Sequence, residues 1–81
     1  MLPDAATSHA EELRALLDDG VLTATGAIEI APGVFAYADQ AAREILSAFD
    51  RLRSAGTTDP EAWGALEAAL EQVYRAVKRH V

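Results

Sequence analysis

The stretch RLRSAGTTDPE, residues 51–61, decides how this chain folds. Gly56 stands behind Arg51 and Arg53, and Thr58-Asp59-Pro60-Glu61 follows almost at once. A glycine just past a helix takes the left-handed backbone that ends it, and basic residues in the last turn suit the negative end of the helix dipole. A capping side chain before a proline at the first helical position, with an acid next to it, starts another helix. So short a link forces the two helices into an antiparallel hairpin.

Downstream, Trp63, Leu66, Leu70, Val73 and Val77 step by three and four, which predicts a helix over 60–79 closed by Lys78, Arg79 and His80. Upstream, Val34, Ala38, Ala41, Ile45, Ala48, Leu52 and Ala55 repeat in the same way, with Phe35, Ala42, Leu46 and Phe49 as a second stripe beside them. This predicts a central helix that begins between Val34 and Asp39, taken as 38–55, with neighbours on more than one side. Before it, residues 8–19 read as a first helix after a frayed lead, 1–6. Thr7 or Ser8 serves as cap, Glu11 and Glu12 open the helix, and Gly20 closes it. Ala10, Leu13, Leu16 and Leu17 make its buried stripe, with Arg14 and Asp18 as an outside pair.

Between the first two helices the period changes. Val21, Thr23, Thr25, Ile28 and Ile30 are β-branched and alternate, so residues 21–37 read as a short β-hairpin or an irregular loop. The preferred pairing joins 21–25 to 27–30 around Gly26, with Pro32-Gly33 as a type II turn leaving it. A competing version pairs 28–30 with 34–37 across Pro32-Gly33, although type II turns match hairpin twist poorly. The expected fold is therefore mainly α, one small three-helix domain over 1–81 with a β insertion.

The 81 residues include no cysteine, which excludes disulfides and thiolate metal sites. Half of the residues are hydrophobic, but alanine makes up much of that share and favours close helix packing over a roomy pocket. All the basic residues but Lys78 are arginine, which together with the alanine load matches the output of a GC-rich bacterial genome. Residues 1–7 lack the basic and apolar regions of a signal peptide, and the least polar run, 31–38, is too short for a bilayer. A soluble cytoplasmic protein is expected.

Chemistry-bearing patterns are sparse. His9 and His80 are the only imidazoles, and neither has a companion suited to nucleophilic catalysis. No Glu-x-x-His or His-x-x-x-His would place two metal ligands on one helix face, and Glu71 is expected to pair with Arg75. No glycine-rich loop cradles phosphate. The helix after Pro60 opens with Glu61, Ala62 and Trp63, without base-reading side chains, and the chain carries a net charge of −6. No enzyme activity, cofactor, metal, nucleic acid or membrane is expected.

What remains is docking. Thirteen acids face seven bases, and the excess lies in the first fifty residues, Glu11, Glu12, Asp18 and Asp19 among them. These four acids are the candidate face for a basic protein partner, and Trp63 is a candidate anchor, since tryptophan is enriched at binding hot spots. The two-strand segment and the wide apolar helix faces also suggest a homodimer. The leading reading is a small regulatory interaction protein: an adaptor, an immunity or antitoxin-like protein, or an inhibitor. The alternatives are a structural or accessory subunit of a larger assembly, or a small-ligand binder or enzyme with a pocket lined by Tyr37, Tyr74 and Trp63.

Overall fold

The computed structural model describes residues 4–22 and 26–80. Helix α1 (Asp4–Asp18) leads to strands β1 (Ala27–Ala31) and β2 (Val34–Tyr37), and then to helices α2 (Ala38–Ser54) and α3 (Pro60–His80). The fold is mainly α, three helices with a two-stranded antiparallel hairpin between the first and second, as the sequence predicts.

The link between α2 and α3 is built as its residues require. Gly56 has φ +65°, its N–H bonds the Arg53 carbonyl at 3.1 Å, and the Thr57 N–H reaches the Leu52 carbonyl at 3.4 Å. These two bonds satisfy carbonyls that the end of α2 leaves open. Two residues on, Asp59 Oδ1 accepts the Glu61 N–H at 3.0 Å and caps α3 ahead of Pro60. Trp63 locks the corner. Its indole Nε1 donates to the Thr57 carbonyl at 2.8 Å, and its ring meets Phe49 edge-on at 5.8 Å between centroids.

Helix α1 starts at Asp4, so the expected frayed lead is wrong from that residue on; residues 1–3 lie outside the described residues. The capping signal at Thr7 and Ser8 loses to packing. Ala6 is 3% exposed and extends the buried stripe through Ala10 and Leu13 by one more turn. At the other end Gly20 closes α1 with the same pair of bonds seen at Gly56, to Leu17 at 3.1 Å and from Val21 to Leu16 at 3.2 Å.

The hairpin is the competing version. Its register pairs Ala27 with Tyr37, Ile28 with Ala36, Glu29 with Phe35, and Ala31 with Val34, across a Pro32-Gly33 turn. The preferred partner of β1 on the other side of Gly26 includes residues 23–25, which lie outside the described residues. The turn that was expected to leave the hairpin is the one that makes it. Gly33, at φ +74°, supplies the positive φ of a type II turn, and the Glu29 carboxylate accepts its N–H at 3.1 Å. The twist mismatch is met by a register shift between Glu29 and Ala31, where Ile30 is the extra residue of a bulge that adds local twist.

One consequence is that Val34 and Phe35 belong to β2 and not to the stripes of α2. The core holds Ala38, Ala41, Ala42, Ile45, Leu46 and Phe49 of α2 and all five seam residues of α3. From the hairpin, Ile28 is sunk into it at 1% exposure. Strand β1 packs against α3 and β2 against α2, so the outer side of the hairpin faces solvent.

Candidate functional site

The four acids of α1 do not form one face. Successive helical residues point about 100° apart, so Glu11 and Asp18, seven apart, share a side while Glu12 is turned away from them. Asp19 lies beyond the helix end. Glu12 is engaged within the molecule: it accepts the Tyr74 hydroxyl hydrogen bond and sits 3.7 Å from Lys78 Nζ. That hydrogen bond is the main cause of a lowered Glu12 pKa, desolvation opposes it, and the charge of Lys78 lowers it further; the same bond raises that of Tyr74. His9 stacks on Tyr74 at 3.9 Å and 13°, which completes a four-residue cluster joining α1 to α3.

Arg14 also departs from expectation. Its guanidinium reaches across to both oxygens of Asp50 at 3.2 Å, in place of a pairing with Asp18, and Arg53 joins the same carboxylate at 3.1 Å. Asp50 thereby clips α1 to α2 at an exposed site. The expected Glu71–Arg75 pair forms at 2.7 Å. Glu11, Asp18, Asp19 and Glu44 enter no ion pair among the described residues.

Trp63 is 6% exposed and committed to the core and the α2–α3 corner, so it presents no anchor to a partner. The pocket expected from Tyr37, Tyr74 and Trp63 does not assemble. Tyr74 lies along an open groove between α3 and the hairpin turn, and Tyr37 lies in a separate hollow beside α2.

That second hollow holds the residues the sequence reading missed. On the outer side of the hairpin Phe35 is 66% exposed and Tyr37 62%, two positions apart on one strand and hence on one face. They border a shallow notch between β2 and the first two turns of α2, with Ala27, Gln40, Ala41 and Glu44 along its remaining sides. Glu44 is its one charged side chain, and Glu29 stands opposite Phe35 in the hairpin register. The signal was the alternation of residues 34–37 directly after Pro-Gly, masked by a helical spacing that also ran through Val34 and Phe35.

Comparison with known proteins finds no match: no family model, no curated protein and no solved structure is similar to this chain. No helix among the described residues is long and apolar enough to cross a membrane, and no cluster of three metal-ligating side chains occurs among them.

Proposed function

We propose that this chain is a small non-enzymatic regulatory protein that acts by docking on a basic protein partner, in the manner of an adaptor, an immunity or antitoxin-like protein, or an inhibitor. The observation that carries this reading is the pair Phe35 and Tyr37, held in the open on the hairpin beside the unpaired carboxylate of Glu44. Large aromatic side chains exposed together on a small fold are typical of binding surfaces, and a net charge of −6 steers such a surface toward cations. The docking surface thus moves from Trp63 and the α1 acids to the hairpin.

The test is affinity capture from host lysate with three baits: wild type, the double variant Phe35→Ser/Tyr37→Ser, and Glu11→Lys/Asp18→Lys. One stoichiometric protein held by wild type and lost by the hairpin variant supports the reading, once the purified pair binds in a calorimeter. Loss only with the α1 variant returns the surface to the acidic helix. A wild-type bait that retains no stoichiometric protein defeats the proposal. Light scattering at tens of micromolar, run on the same samples, tests the proposed homodimer.

A further inference from the structure

We infer that the notch between β2 and α2 is a socket for an arginine side chain on a basic segment of the partner, an inference that rests on the docking reading above. The first argument is charge. The notch is lined by Phe35, Tyr37, Ala27, Ala41, Gln40 and Glu44, without a single cation, and Glu44 has neither ion pair nor hydrogen bond among the described residues. Glu29 pairs with Phe35 in the register, but its carboxylate accepts the Gly33 N–H and lines the other groove, so Glu44 is the carboxylate of the notch. An acidic or phosphorylated occupant meets repulsion from Glu44. An uncharged apolar one leaves the Glu44 carboxylate unanswered.

The second argument is shape. Alternate residues of a strand stand about 7 Å apart, which is close to twice the contact distance of about 3.5 Å between unbonded carbons. The spacing of Phe35 and Tyr37 therefore admits one flat group between two aromatic side chains. A guanidinium is flat, stacks on aromatic faces and forks onto a carboxylate, whereas an ammonium is a compact, strongly hydrated point charge.

A second copy of this chain is the poorer occupant. It would bring another charge of −6 and a second Glu44 to a notch that already holds one. A stable dimer also buries roughly 800 Å² per partner, about a sixth of the 4990 Å² surface here and far more than the notch alone offers.

The experiment is an amide-shift NMR titration at low ionic strength with three capped peptides, Gly-Ser-Arg-Ser-Gly and its lysine and glutamine counterparts. The expected result is saturable shifts at Phe35, Tyr37, Gln40 and Glu44, stronger with arginine than lysine and absent with glutamine. Glu44→Gln, at an exposed site where folding is not at stake, should weaken the arginine peptide by about fivefold. Shifts confined to Glu11, Asp18 and Asp19, equal response to the glutamine peptide, or a dimer mass with the notch buried would each overturn the socket. A lysate partner that still requires Phe35 and Tyr37, together with an arginine peptide that shifts nothing, removes the socket and leaves the docking reading standing.

Discussion

Two phenylalanines show how little residue type says without position. Phe49 is 1% exposed, set edge-on to Trp63, with the Arg53 guanidinium 5.4 Å from its ring centre. Phe49→Ala should cost about 3–5 kcal/mol, a large share of what so small a fold holds, while Phe35→Ala should stay within about 0.5 kcal/mol. Urea denaturation followed by circular dichroism measures both, and comparable losses would contradict the burial assigned to each. Glu12 gives a residue-scale test of pH. Its folded pKa is depressed, so its contribution to stability is present above the unfolded pKa and lost as pH falls through the folded one. The Tyr74 value is raised, so that contribution is present below the unfolded pKa and lost as pH rises through the folded one. In Tyr74→Phe the Glu12 carboxyl should titrate at higher pH by NMR than in wild type, and Lys78→Met should move it less. The stack of His9 on Tyr74 had no precursor in the sequence, because pairs between helices depend on a rotation about the helix axis that spacing within one helix does not define.

At the scale of elements, α2, α3 and their corner were legible because every local signal agreed: cap, proline, seam and C-terminal glycine act within a few residues of one another. The hairpin was harder, since its register depends on a bulge at Ile30 that no local pattern announces, and Val34 and Phe35 fit two periods at once. The start of α1 was lost for a third reason, burial of Ala6 by the rest of the fold. Glycine substitutions separate backbone conformation from space. Neither Gly33 nor Gly64 has any atom within 4 Å of where a Cβ would sit, but Gly33 has φ +74° and Gly64 lies inside α3. Gly33→Ala should therefore destabilise by about 1–2 kcal/mol and loosen the hairpin, whereas Gly64→Ala should stabilise by about 0.5–1 kcal/mol. Opposite changes in melting temperature are the check, and equal signs would contradict the turn geometry.

For the molecule as a whole, charge and the bare hairpin face work against each other. Near the isoelectric point, about 4.6, the repulsion that keeps copies apart vanishes while Phe35 and Tyr37 stay exposed. Turbidity should peak there, and the Phe35→Ser/Tyr37→Ser variant should stay clearer at the same pH; equal turbidity would place the sticky surface elsewhere. The sequence exposed the acidic excess but not this site, because Phe35, Tyr37 and Glu44 meet only once β2 runs straight into α2. Trp63 makes the molecule its own optical reporter. As the sole tryptophan, with its indole shielded in the corner and bonded to Thr57, it dominates the emission spectrum and should fluoresce toward the blue. Opening of the helical corner then appears as a red shift, whereas a ligand seated beside Tyr37 leaves that colour untouched. Unfolding and docking can thus be watched in one cuvette without a dye.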